Sequence, residues 1–337
     1  MKQAAITGVK QAKVIEVPEP RAKAEWVKVK VHAAPMCTEF KGFLTGDGSH
    51  GYGHEAAGEV VEVAQPGRVK VGDRVVVQPG NPCGVCDLCK QGEFIHCAQW
   101  LDFEKVTGGK TGLVTMAQYL LKADWLLSPI PDDVPYDLAS LAVCGLGPTF
   151  SAFELMGVDS FDTVLVTGLG PVGLGGVVNA AFRGARVIGV DSNAYRGKLA
   201  QELGAEAVFD PADPDTAQKI LALTGGRGID KAVDCSGIVK AHALCYEVAR
   251  RKGEVAFVGQ CHEDSPLKIS QHMIQKGLRL HGVWHYNLGA YSRLMQVILK
   301  TPVLGAMITH VFPLDEIQEA WETQVAGQCG KVILHPW

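Results

Sequence analysis

Polar and apolar residues alternate in short runs over the first third of the chain. In Val27-Lys28-Val29-Lys30-Val31, which follows Trp26, every second side chain is charged. That is the period of a strand with one face on a core and one in water. Gly58-Glu59-Val60-Val61-Glu62-Val63 and the run from Val69 to Val77 continue the pattern, so the first 125 residues or so are predicted to be mostly β, joined by glycine-rich turns. Around Asp137 the pattern becomes an apolar helical run that passes Leu141 and Cys144 and ends near Phe153. From Phe161 to about His285, buried β runs alternate with helical segments: Thr163-Val-Leu-Val-Thr, Ala185-Arg-Val-Ile-Gly-Val, Ala207-Val-Phe, Lys231-Ala-Val-Asp and Glu254-Val-Ala-Phe-Val. Strands at that spacing, joined by helices, predict a doubly wound parallel sheet. The remainder predicts helices near Tyr291 to Leu299 and Leu314 to Gln324 and a last strand at Lys331 to Leu334.

A chain of 337 residues exceeds one ordinary core, so two domains are expected in an α/β protein: a β-rich one and a doubly wound parallel sheet. Hydrophobic residues at 47%, charged residues at 20% and 39 glycines fit a packed globular protein. A net charge of -4 gives no reason to expect nucleic acid or an anionic membrane as partner. Met1 to Pro18 lacks a basic flank followed by an apolar stretch; no signal peptide is expected, and the cytoplasm is the expected location. Thr163 to Phe182 is uncharged and long enough to span a membrane, but its glycines and Pro171 read as strand, turn and helix.

Four of the ten cysteines fall within fifteen residues, as Cys83-x2-Cys86-x2-Cys89-x7-Cys97. Without an export signal, metal is a better reading than disulfides. Four thiolates close a tetrahedral zinc sphere and leave no position for substrate, so the expected role is structural. An iron–sulfur cluster shares the Cys-x2-Cys-x2-Cys spacing and remains the chemical alternative, as do reduced thiols that ligate nothing; the x7 gap argues against the cluster. His96 reads as a bystander.

Thr163-Val-Leu-Val-Thr runs straight into Gly168-Leu-Gly170-Pro171-Val172-Gly173 and then an apolar helical stretch. A Gly-x-Gly-x-x-Gly turn in that context cradles a pyrophosphate on the N-terminus of the helix. Eighteen residues past Gly173, Asp191 ends the next strand, where a carboxylate accepts from the ribose 2′-OH and repels a 2′-phosphate. NAD is therefore expected over NADP.

Gly53-His54-Glu55, the four-cysteine loop, the Cys144 segment ending in Thr149-Phe150-Ser151-Ala152, the Gly168 to Gly173 turn and the closing Gly330-Lys-Val-Ile-Leu occur in one order along nearly the whole chain. In this the chain resembles the zinc-dependent alcohol dehydrogenases of the medium-chain dehydrogenase/reductase family. The resemblance implies a GroES-like catalytic domain over residues 1–148, with the structural zinc loop at 80–100. A Rossmann domain over 149–287 and a segment at 288–337 returning to the catalytic domain would complete it. It implies two zinc ions per chain and hydride transfer between NAD and a secondary alcohol, with a polyol, sugar or cyclitol as the expected substrate. The ligand set of a cysteine, a histidine and a second cysteine falls on Cys37, His54 and Cys144, with Glu55 as exchangeable fourth ligand. Glu39 would orient His54 from outside the coordination sphere, and Thr38 would carry the alcohol proton. Arg196 corresponds to a basic residue at the adenosine ribose and Lys331 to one near the pyrophosphate.

The family usually has Cys-x-Ser/Thr-Asp-x-His. Here Cys37 touches Thr38 directly and Lys41 stands in the histidine's place, so either a one-residue deletion keeps Cys37 as ligand or Met36 falls in the cysteine slot. His50, Trp100, Phe150, Trp284 and His285 are candidate pocket residues. A homodimer or homotetramer is expected. The alternatives are a zinc-independent enone or quinone reductase of the same superfamily and a non-enzymatic protein on this fold.

Overall fold

The protein is described from a computed structural model that covers residues 1–48 and 52–337, so His50 lies outside the described residues. Two compact units emerge: Met1–Cys144 with Asn287–Leu299 and Ile308–Trp337, and Gly145–Tyr286 with Lys300–Met307. In chain order the strands are β1 (Lys2–Gly8), β2 (Gln11–Glu16), β3 (Trp26–Pro35), β4 (Ala56–Glu62), β5 (Arg74–Val77), β6 (Tyr119–Ala123), β7 (Leu127–Pro129) and β8 (Thr163–Thr167). Then come β9 (Arg186–Val190), β10 (Ala207–Phe209), β11 (Ile229–Asp234), β12 (Ala249–Phe257), β13 (Arg279–Gly282), β14 (Ile308–Pro313) and β15 (Lys331–His335). No helix among the described residues is long and apolar enough to cross a membrane.

In the first unit a sheet runs in the order β14-β15-β3-β4-β5-β7, with β6 also paired to β3, and β1 and β2 form a hairpin. Its core gathers Val29, Val31, Met36, Phe43, Leu120, Trp321 and Val332. β3 forms as the alternation predicts, but its lysines do not make a uniformly wetted face. Lys28 is buried, and its ammonium lies 2.8 Å from Glu19 and 2.6 Å from Glu62. A buried lysine is tolerated where carboxylates replace its water.

The second unit holds six parallel strands in the order β10-β9-β8-β11-β12-β13. All five residues of β8 are buried, as expected for a strand covered on both faces. The helices Pro171–Phe182, Ala194–Glu202 and Val239–Val248 provide crossovers. The order reverses between β8 and β11, and such sheets bind dinucleotides in the crevice at that reversal.

Three sequence expectations shift. The stretch from Val69 to Val77 yields only the short β5, because Val69–Asp73 turns. The helical run from Asp137 to Phe153 breaks into Tyr136–Ser140 and Gly147–Met156, with Cys144 in the turn between. The unit boundary falls after Cys144 rather than at 148, and Lys300–Met307 belongs with the second unit rather than with the returning segment 288–337. There the turn Pro302–Met307 packs on the helices Pro171–Phe182 and Ala194–Glu202 and buries Leu304 and Met307.

Asp230 clamps the start of the parallel sheet. Its buried carboxylate accepts from Thr163 N at 2.9 Å, Arg227 Nη1 at 2.6 Å and Arg250 Nε at 2.5 Å. Burial alone would raise its pKa, but Arg227, the Thr163 amide and Arg250 outweigh it and hold the carboxyl well below its ordinary range. A depressed native pKa contributes stability that is present above the unfolded value of 3.8 and disappears as pH falls below it. Asp230→Asn should cost about 2 kcal/mol in urea unfolding at pH 7. The gap between the two proteins should narrow below about pH 4; an unchanged gap would refute the assignment.

Candidate active site and metal sites

Two clusters of metal-ligating side chains stand out in the first unit, each with its ligand atoms within 4.8 Å of one another. One joins Cys37, His54, Glu55 and Cys144 from three separate stretches of chain. Cys37 follows the end of β3, where Met36 N donates to Val332 O at 2.9 Å and Gln324 Nε2 donates to Cys37 O at 2.5 Å. His54 and Glu55 immediately precede β4, and Cys144 comes from the turn between two helices. Cys37 is thereby grouped with His54 and Cys144, while Met36 is 1% exposed in the apolar core.

His54 is held on both ring nitrogens. Nδ1 lies 2.5 Å from Glu39 Oε1, and Nε2 lies 3.1 Å from Cys144 Sγ. The other Glu39 oxygen accepts from Cys37 N at 3.2 Å. Burial by itself would lower the His54 pKa, yet Glu39 and Cys37 raise it well above its ordinary value. The hydrogen bond from Cys144 holds Cys37 well below the usual thiol range, and the same bond, with burial, pushes Cys144 well above it.

Lys331, expected from the resemblance near the pyrophosphate, is fully buried in the first unit, with Nζ 2.6 Å from Glu55 Oε1, so its ammonium is engaged by a carboxylate. The second Glu55 oxygen accepts from Cys144 N at 3.3 Å. Burial pushes Glu55 up to about 8, against the pull of Lys331. Lys331 would lose affinity for its proton through burial, but Glu55, Cys37 and Cys144 more than compensate and raise its pKa. Direct contact favours the charged lysine on a carboxylate, and the nearby thiols add to the lysine's hold on its proton. Glu55 lies 4.0 Å from His54 Nε2 and already has partners on both oxygens.

Beside His54 opens a cavity of about 420 Å³ lined by Thr38, Glu39, Lys41, Thr45, Asp47 and Tyr52. Thr38 is exposed on its wall. Trp100, Phe150, Trp284 and His285 do not line it. Phe150 is instead buried in the helix Gly147–Met156 under the Arg183 guanidinium.

The second cluster is Cys83, Cys86, Cys89 and Cys97. Cys97 Sγ lies 3.6 Å from Cys83 Sγ and 3.9 Å from Cys86 Sγ. Ligands at 2.3 Å around a tetrahedral ion are about 3.8 Å apart. A single ion therefore fits, whereas a multi-iron cluster would spread the sulfurs wider. Backbone amides of Cys83, Cys86 and Gln99 donate to these sulfurs at 3.3 Å. Amide donors, with that of Cys89 foremost, lower Cys86 to about 6, whereas burial pushes Cys89 up to about 12. His96 is exposed beside the loop.

In the second unit Gly168 adopts φ +79, and a Cβ there would sit 2.7 Å from the Ser236 side chain. A Cβ on Gly173 would lie 1.8 Å from Gly168 O, so helix and turn meet at a distance only glycine permits. Gly170 faces open space, with only Arg196 Nη1 at 3.9 Å, and it caps the helix that Pro171 and Val172 begin. This is a phosphate-binding geometry with a cation beside it. Asp191 braces the turn: its oxygens accept from Leu169 N at 2.5 Å and Asn193 N at 2.7 Å. Sequence reasoning passed over Asp234. Buried at the end of β11, it accepts from Thr167 Oγ1 at 2.8 Å, Ser236 Oγ at 2.6 Å and Gly237 N at 2.9 Å, tying β8 to β11 under the turn. An acid followed by Ser-Gly at the end of an apolar strand was the available signal.

Residues 23–132 match the family described as alcohol dehydrogenase GroES-like domain, and residues 171–300 match the zinc-binding dehydrogenase family. An L-threonine 3-dehydrogenase of Symbiobacterium thermophilum is 30% identical, over 95% of this chain and 93% of its own length. A D-arabitol-phosphate dehydrogenase of Enterococcus avium is 29% identical, over 97% and 94%. In fold, the alcohol dehydrogenase TADH from Thermus sp. ATN1 superposes with a TM-score of 0.89 over all of both chains at 22% identity.

Emission spectrometry should find two zinc ions per chain, and both Cys144→Ala and Cys97→Ser should retain one. The loss at Cys97 should lower the thermal midpoint by roughly 10 °C, that at Cys144 by much less. Equal drops would contradict the division into structural and reactive sites. In urea unfolding of the zinc-loaded protein, Lys331→Met should cost about 3–5 kcal/mol, because it leaves Glu55 buried without its cation. Adding Glu55→Gln should restore part of that loss, and strictly additive costs would show that the pair does not act as a unit.

Proposed function

The chain belongs to the zinc-dependent alcohol dehydrogenases of the medium-chain dehydrogenase/reductase family, oxidoreductases that use NAD and zinc, and from that premise we propose how this member works. Its substrate is a secondary alcohol of the polyol or sugar class, oxidised at the cluster of Cys37, His54 and Cys144. The observation that carries this reading is that cluster itself: three zinc-type donors gathered from distant stretches of chain beside a cavity of about 420 Å³. Two thiolates and an imidazole suit zinc and leave a further position for a substrate oxygen.

When bound, zinc supplies a Lewis acid for the substrate oxygen and NAD supplies the hydride acceptor. The chain's own residues prepare the rest. Glu39 accepts from His54 Nδ1 and so turns Nε2 toward the cluster. The amide of Cys37 holds Glu39 in turn. Thr38, exposed on the cavity wall, offers a hydroxyl that can take the alcohol's proton toward solvent. Glu55, backed by Lys331, is the reserve ligand. Gly168 to Gly173, with Arg196, receive the pyrophosphate and ribose, and Asp191 the 2′-OH.

Cytoplasmic residence suits an NAD-linked enzyme with unpaired cysteines. A homodimer is favoured because, among the described residues, β13 pairs only with β12, and its open edge is followed by Trp284, which is 51% exposed.

An NAD-coupled screen of alcohols, polyols and their derivatives tests the reading, and silence across the panel with zinc-loaded protein would sink it. NAD should be preferred over NADP. Asp191→Ser should reduce that preference by roughly 10- to 100-fold, the worth of a charged hydrogen bond. A preference untouched by the substitution would remove Asp191 from the role.

A further inference from the structure

The cavity beside His54 contains one feature that a neutral polyol does not call for. Lys41 stands on its wall, exposed, one turn from Thr38, with Lys41 N donating to Thr38 O at 3.1 Å. Its ammonium makes no hydrogen bond or ion pair with any described residue. The acids around it are already occupied. Glu39 uses one oxygen on His54 and the other on the Cys37 amide, Glu55 belongs to Lys331, and Asp47, the other acid of the wall, has partners of its own. Two thiolates offset a divalent ion in the cluster, so the metal leaves no excess charge to satisfy Lys41. The position is also where this chain departs from its family's usual histidine.

We infer that Lys41 is a specificity-determining residue that holds an anionic group, a phosphate or a carboxylate, on the secondary alcohol this enzyme oxidises. The inference rests on the dehydrogenase reading above and narrows it to charged substrates. A lysine ammonium is a mobile point charge that suits either anion, and its four-carbon stem lets it reach across a small cavity. A cavity of about 420 Å³ lies within the range of small-ligand sites and has room for a short polyol with one such group. The two relatives act, by name, on alcohols bearing one anion or the other: threonine has a carboxylate and D-arabitol phosphate a phosphate.

The test measures initial rates with NAD for zinc-loaded wild type, Lys41→Met and Lys41→Arg. The substrates are a neutral polyol, the corresponding polyol phosphate and L-threonine. Wild type should favour an anionic member over the neutral one, and which anion wins identifies the source. Lys41→Met should reduce the ratio of kcat/KM for that anion over the neutral polyol at least tenfold, mainly through KM. Lys41→Arg should recover most of the ratio, and added salt should erode the wild-type preference. A wild type that prefers the neutral polyol, or a Lys41→Met variant that loses both substrates equally, overturns the inference and leaves the dehydrogenase reading intact. If no alcohol is oxidised, that reading fails by itself. Calorimetric binding of the polyol phosphate to the NADH-loaded protein then decides the remainder: tighter binding to wild type than to Lys41→Met upholds the anion site, and equal affinity overturns it.

Discussion

Behind the reactive cluster lies a fully buried ion pair, Lys331 on Glu55, that ties the last strand of the chain to the residue beside His54. Neither charge can be hydrated there, so each depends on the other, and breaking the pair costs more than the pair contributes. Much of the site's geometry hangs from it. Glu55 accepts from the amide of Cys144, fixing one ligand, and β15, which Lys331 begins, pairs with β3 just ahead of Cys37, fixing another. Residues nearly three hundred positions apart thus meet in one small volume because one carboxylate and one ammonium cannot be left alone.

The broad fold was legible because it rests on periodicity. The alternation at Trp26 to Val31 and the buried runs at Thr163 and Val187 were enough to expect a β-rich unit and a parallel sheet, and the glycine turn followed from its spacing between a buried strand and an apolar helix. The Met36 or Cys37 question was not legible, since a one-residue deletion leaves no trace in one sequence. Packing separates the two: Met36 fills an apolar core next to Val332, which turns Cys37 toward His54. The burial of Lys331 was not legible for a related reason. A lysine among Val, Ile and Leu is normally a solvated edge residue, and only the three-dimensional neighbour Glu55 explains its burial. Lys28 hides between Glu19 and Glu62 for the same cause.

Asp191 and Asp234 show how the nucleotide unit divides its work. Both are acids at the ends of parallel strands, and both spend their oxygens on backbone or hydroxyl donors of the glycine turn and its neighbour. Asp234 is completely buried and has no oxygen to offer a ligand. Asp191 is half-buried, so a lone pair remains for a ribose hydroxyl while the amides it accepts keep the turn rigid. The same charge proposed to select the cofactor therefore also shapes the glycine turn. A phosphate turn must present its amides before the ligand arrives, because amides ordered only on binding would spend part of the binding energy on their own immobilisation. Asp191 and Asp234 remove that cost from two sides of Gly168, one bonding the residue after it and the other the hydroxyl of the residue before it.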